Sequence, residues 1–394
     1  MIQRAPRKLI ITSVSIALVL IACKKSTDLG NGSGNNGTNT DPVAAVLNLP
    51  ASPFNYSNPV LPGYLNNPGI NGQINAPANN PITDNGATLG RVLFYDKNLS
   101  FNNTVSCASC HKQANAFADT GRLSIGFNGG LTGRNSMGLT DAKYYPSGSF
   151  FWDQRAATLE IQTLMPVQDH TEMGMTLAGL ETKLRGLAYY PSLFTKAFGD
   201  ANITSDRVSL ALAQFVRSII SYQSKYDAGR GTLPAAPVPA PNTPFPNFTA
   251  QENRGKEIFL SGIGGCAACH GSETFTAPQE KNNGLDAITV DRGFGAVSNN
   301  TTKDATFKST SLRNVELTAP FMHDGRFRTL EEVVEHYNSG VQNHPNLSPQ
   351  LRLPNGNVRL MNVSVADRAA LVAFLKTLTD QTMIADVKYS NPFK

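Results

Sequence analysis

The chain has 394 residues, 40% of them hydrophobic, with 34 lysines and arginines against 29 aspartates and glutamates for a formal charge of +5. That length suits two domains with sizeable cores, and so small a charge excludes the electrostatic footprint of a nucleic-acid or membrane-surface binder. Only five cysteines are present, Cys23, Cys107, Cys110, Cys266 and Cys269.

In chain order, the N-terminus reads as an export signal. Arg4, Arg7 and Lys8 precede an apolar run from Leu9 to Ala22, the charged and hydrophobic regions of a segment that is cleaved off. The run is too short for a membrane span. Its ending, Leu20-Ile21-Ala22-Cys23, resembles a bacterial lipobox and implies lipidation of Cys23, hence a membrane-anchored lipoprotein of the periplasm or cell envelope. The alternative is a plain signal peptide with an incidental cysteine. Loss of residues 1–22 removes three cations and leaves a formal +2. After Cys23, the segment 23–50 continues with "KKSTDLGNGSGNNGTNTDP", which has almost nothing to bury and reads as a flexible tether.

Residues 51–230 hold "TVSCASCHKQ", and "GGCAACHGSE" repeats the cluster in residues 248–394. C-x-x-C-H is the c-type haem attachment signature: two thiols add to the vinyl groups while the adjacent histidine reaches the iron. A redox disulfide or half a zinc site also uses C-x-x-C, but the trailing histidine in both copies favours two covalently bound haems c, on Cys107, Cys110 and His111 and on Cys266, Cys269 and His270. Val208, Leu212, Phe215 and Ile219 fall at helical spacing, predicting one helix over 204–226 that closes the first half. Residues 231–247 contain six prolines and read as a stiff linker. Thr249 with Glu252, Thr329 with Glu332, and Ser364 with Asp367 are spaced as helix-capping pairs. Strand-like alternation is sparse, so the expected fold is mainly α: two cytochrome c-like haem domains, 51–230 and 248–394, with long loops.

The order of "LGRVLFYDKNLS", C-x-x-C-H, "FFWDQRA", C-x-x-C-H and "SLRNVELTAPFMHDGRFRTLEEVVEHY" resembles the bacterial di-haem cytochrome c peroxidase and MauG family over roughly residues 90–379. The resemblance implies a peroxidatic haem on the N-terminal domain and an electron-transfer haem on the C-terminal one. It assigns Glu172 in "DHTEMGM" to proton transfer on bound peroxide, Gln162 to orienting it and Phe151 to an aromatic wall. Trp152, the single tryptophan, falls where the family keeps one between the haems; an ordinary core indole is a compatible reading. Where many relatives carry a histidine that caps the peroxidatic iron, this chain has Phe127, which cannot ligate, leaving His170 as a nearby imidazole that could swing in.

Fourteen residues beyond His323, where the peroxidases place a methionine, stands Tyr337, as in MauG-like members. A phenolate favours ferric iron. Rival ligands are His336, Met322, Met361 and His344, although His336 points about 100° away from Tyr337 around a helix. The resemblance also implies a calcium ion held by Asn135 with the carbonyls of Thr318 and Pro320. The expected activity is reduction of hydrogen peroxide to water with electrons from a small cytochrome c or another redox protein. A MauG-like enzyme oxidising residues of a partner protein and a di-haem electron carrier without peroxidase activity are the alternatives.

Overall fold

The computed structural model describes residues 41–394, which form one compact unit; the export signal, Cys23 and most of the tether lie outside the described residues. Among the described residues there are helices, turns and isolated bridges, with no extended strand ladder. The mainly helical fold expected from the sequence is therefore present.

Two helix pairs frame the two C-x-x-C-H loops, and both pairs use the same device. In the first, the helix Asp84–Tyr95, capped by the Thr83 hydroxyl, packs on the helix Ser205–Ser218, capped by Thr204. Gly90 sits at the crossing, where a Cβ would meet the carbonyl oxygen of Ala211 and lie 2.8 Å from Cβ of Phe215. In the second, the helix Ala250–Leu260 opens with the Thr249 and Glu252 capping box and packs on Val365–Lys376, capped by Ser364. Gly255 takes the equivalent place, against the Ala370 carbonyl and 2.8 Å from Cβ of Phe374. Each glycine lets two backbones approach more closely than any side chain allows.

The aromatic packing repeats with the helices. Phe94 and Phe215 lie 5.2 Å apart, with Phe117 at 5.9 Å from Phe94; Phe259 and Phe374 also lie 5.2 Å apart, with Phe275 at 5.8 Å from Phe259. All six rings are buried, and each contributes about 1.5–3 kcal/mol by leaving water.

The single helix expected over 204–226 is instead two. It ends at Ser218, and a second short helix runs Lys225–Arg230. Between them the backbone is held extended by buried carboxylates: Ser221 N–H donates to Asp141 at 3.0 Å, and the N–H groups of Tyr222 and Gln223 donate to Asp380 at 3.0 and 2.9 Å. These bonds replace the helical ones that the segment forgoes. The proline-rich stretch 231–247 is pinned by its carbonyls: Arg230 donates to Pro234 O at 2.8 Å, and Lys256 Nζ to Pro241 O and Thr243 O at 2.7 and 2.8 Å.

Two hydrophobic clusters result, one built mostly from residues 43–219 and one from residues 226–378. The chain's last residues return to the first: Met383 and Tyr389 are buried in it, Leu47 bridges Phe393, and Tyr56 Oη donates to Lys388 O at 2.5 Å. Between the clusters, the fully buried Arg313 is held by both oxygens of Asp227, at 2.9 and 3.0 Å.

Candidate functional site

Each C-x-x-C-H lies in a single tight turn. Cys107–Cys110 is one helical turn closed by the Ser106 and Ser109 capping box, and Cys266–Ala268 is a 3-10 turn entered through Gly265 at φ 70°. Both histidines are fixed in the same way. His111 Nδ1 lies 2.8 Å from Phe117 O and His270 Nδ1 lies 3.1 Å from Phe275 O. A carbonyl only accepts, so Nδ1 carries the proton and Nε2 of each ring is left as the donor for a metal. Phe117 and Phe275 both adopt the left-handed conformation, at φ 61° and 52°, which costs about 1–3 kcal/mol in a non-glycine residue. Their buried rings in the helix crossings hold them there.

The four thiols form no disulfide, and burial pushes those of Cys107 and Cys266 up to about 12. No group of three or more His, Cys, Asp and Glu able to hold a bare metal ion occurs among the described residues, and the four thiols are free. They suit addition of S–H across a vinyl group.

A cavity of about 1690 Å³, its open mouth included, lies over the second motif and is lined by Cys266, Cys269 and His270. Tyr337, Met322, Met361 and His323 line it too. His336 does not: its Nε2 lies 3.0 Å from Asn283 O. His344 is likewise engaged elsewhere, with Thr289 Oγ1 at 3.1 Å and Asn346 N at 2.9 Å. Met322 Sδ accepts from Asn283 Nδ2 at 3.3 Å, and His323 stacks on Phe307 at 3.7 Å. The helix that opens at the Thr329 and Glu332 cap is regular only over Leu330–Glu335; residues His336–Gly340, Tyr337 among them, form a π turn, a widening common at functional sites. Burial raises the Tyr337 phenol far above its ordinary range, with a hydrogen bond to Asn283 opposing.

Trp152, Asn135, Thr318 and Pro320 line the same cavity. The Trp152 indole N–H donates to Asn135 O at 2.8 Å. Asn135 Nδ2 donates to Gly121 O and Arg122 O, both at 3.2 Å, which leaves Oδ1 as an oxygen donor in the cavity that Thr318 and Pro320 also line. These are hard ligands of the kind calcium takes.

Over the first motif, Glu172 stands on a turn fixed by Asp169, whose Oδ1 accepts from the N–H groups of Thr171 and Glu172 at 2.7 and 3.1 Å. Burial lifts the Glu172 carboxyl to about 7, with repulsion from Asp169 adding and attraction to Arg155 opposing. Its charge is near enough to raise the thiols of both Cys107 and Cys110. Arg155 lies 3.6 Å over the ring of Phe151. The Phe127 loop is stitched to this turn: Phe127 N–H donates to Glu172 O at 3.0 Å, and a side chain at Gly126 would strike the Thr171 carbonyl. Gln162 is half-buried on the helix Leu159–Gln168, whereas His170 is exposed. Asp169 and Arg155, which tune Glu172, flank residues legible in the sequence without announcing a role.

Comparison with known proteins agrees with this geometry. A family model described as di-haem cytochrome c peroxidase matches residues 84–231. The methylamine utilization protein MauG of Methylophilus methylotrophus is 31% identical over 304 residues, 77% of this chain and 85% of that protein. The chain belongs to the di-haem cytochrome c peroxidase and MauG family. Cytochrome c551 peroxidase of Nitrosomonas europaea is 29% identical over 315 residues, 77% of this chain and 82% of its own. A solved MauG-like protein associated with microbial copper homeostasis superposes with a TM-score of 0.70 at 30% identity, covering 81% of this chain and 96% of that one. A di-haem peroxidase needs two haem sites, and the paired loops, each with a Nδ1-anchored histidine and two free thiols, have the donor set for one haem apiece.

Proposed function

We propose that this di-haem peroxidase reduces hydrogen peroxide to two waters, taking up two protons and two electrons, at a haem bound covalently through Cys107, Cys110 and His111. The observation that carries the reading is Glu172, a half-buried carboxyl that desolvation pushes up to about 7, on the turn that Asp169 fixes beside the Phe127 loop. A group with that proton affinity can both take and return a proton at neutral pH. When bound, the haem iron supplies the redox chemistry that breaks the O–O bond. Glu172 takes the proton from one peroxide oxygen and delivers it to the other. Gln162 orients the substrate, and Phe151, braced by Arg155, walls the site. Phe127 offers no donor atom, so the chain leaves that face open in the resting protein.

A second covalent haem would be held by Cys266, Cys269 and His270, with Tyr337 on the same cavity wall as the candidate for its other ligand; it would supply electron transfer, and Trp152 on that wall would serve as the relay. The donor is a small cytochrome c or another redox protein. Calcium at Asn135, Thr318 and Pro320 stiffens the loops between the sites, and lipidation of Cys23 anchors the enzyme in the periplasm or cell envelope. The position of Tyr337 in the second cavity favours one further reading, a MauG-like enzyme whose electrons come from residues of a partner protein. An electron carrier alone has no use for Glu172.

The test is the ferric protein at rest. One high-spin haem that binds cyanide without prior reduction is expected; two low-spin haems indifferent to cyanide would refute an open site behind Phe127.

A further inference from the structure

The charge inside the second cavity is one-sided. Lys281, Lys308 and Arg313 line it, and no aspartate or glutamate does. Arg313 is already matched by Asp227. Lys281 lies near Cys269, whose thiolate it favours, and so belongs to the thiol edge. Lys308 is different. It is 8% exposed, with its ammonium over the rings of Tyr145 at 3.6 Å and Phe150 at 4.6 Å. Among the described residues it has neither an ion pair nor a hydrogen bond from Nζ, and burial alone acts on it, pushing it down to about 7.

Its backbone is fixed from two sides. Lys308 N–H donates to Trp152 O at 2.8 Å, and the preceding Phe307 bridges Lys281. An ammonium buried without an anion is strongly disfavoured. The aromatic faces recover part of that cost, and Lys308 also lines the cavity, which holds the space for an anion. A haem tethered through its vinyl groups to Cys266 and Cys269 carries two propionates on the opposite edge.

We propose that Lys308 pairs with a propionate of the haem in the His270 cavity, and that this charge holds the haem's reduction potential up. The inference rests on the reading of Cys266, Cys269 and His270 as a haem site. With Lys308→Met, a cation near the iron is lost and a bare propionate remains, so both changes favour ferric iron.

The experiment compares the full-length protein with K308M, K308R and K308Q, counting haems by denatured pyridine spectra and measuring each haem's midpoint potential by spectroelectrochemistry. K308M should shift the ferrous-to-ferric ratio of the second haem about tenfold toward ferric, which is 59 mV for a one-electron couple. The first haem should stay in place, and K308R should restore most of the shift. If K308M loads one haem, K308Q carries the same measurement; equal loss of haem in K308M, K308Q and K308R would mean packing alone and overturn the pairing. Two haems with unmoved potentials in K308M would overturn it as well. A wild-type protein with a single haem would instead sink the haem-site reading on which it rests.

Discussion

Replacing Glu172 with glutamine separates what the residue costs the fold from what it gives the reaction. Holding this carboxyl at about 7, against its ordinary 4.5, makes the charged form about 3 kcal/mol worse in the folded protein than in the unfolded one. The sign follows from where the proton sits. Below about pH 4 both states are protonated and glutamine gains nothing; as pH rises toward 7 the folded wild type bears a growing penalty, and above 7 the penalty is complete. Glu172→Gln is therefore expected to be more stable than wild type at pH 8 by up to about 3 kcal/mol, and equal to it at pH 4. Over the same range, peroxide turnover should fall roughly 100- to 10,000-fold, the usual worth of a positioned acid–base group, and the rise of the wild-type rate through neutrality should vanish. Urea unfolding at the two pH values and steady-state peroxide consumption, with both haems counted, supply the measurements. Turnover within twofold of wild type would remove Glu172 from the chemistry, and no stability gain at pH 8 would mean that its charge is not held out of water.

Cys107→Ala with Cys110→Ala should leave one haem by denatured pyridine spectrum; two remaining would refute attachment there. Tyr337→Met should raise the midpoint potential of the second haem, since a thioether favours ferrous iron more than a phenolate does, and Tyr337→Phe should leave that iron open or water-bound. Unchanged potentials and spectra in both variants would assign the position to another residue, with Met322 or Met361 next in line on the cavity wall. Gly90→Ala puts a methyl group against the Ala211 carbonyl and should cost about 1–3 kcal/mol, read as a lowered melting temperature; an unchanged melting temperature would mean that the two helices are not held at contact.

What the sequence disclosed is what neighbours in the chain decide. The thiol and histidine spacings lie within five residues, and the Thr249, Thr329 and Ser364 caps form within three, so each is written where it acts. The end of the first core's long helix at Ser218 was not legible, because Asp141 and Asp380, which hold the next residues extended, are far away in the chain and the apolar spacing runs on past the break. The π turn at Tyr337 and the twin roles of Phe117 and Phe275 are hidden for the same reason. A phenylalanine whose carbonyl aims a histidine looks like any other core aromatic until its backbone is seen. Lys308 gives no local sign either, since its isolation depends on which carboxylates the fold keeps away from it.

The return of the C-terminal residues to the first core bears on the order in which the molecule is made. Met383, Tyr389 and Phe393 pack with helices that begin at residue 84, so a chain synthesised from its N-terminus has to emerge past Phe393 before that core can close. The first thiol pair is then presented on an unfinished scaffold for as long as the remainder takes to appear. Shortening the chain at its far end by the segment after Asp380 would open the His111 half and leave the helix pair around His270 with its own partners, an inversion of the damage that position along the chain suggests.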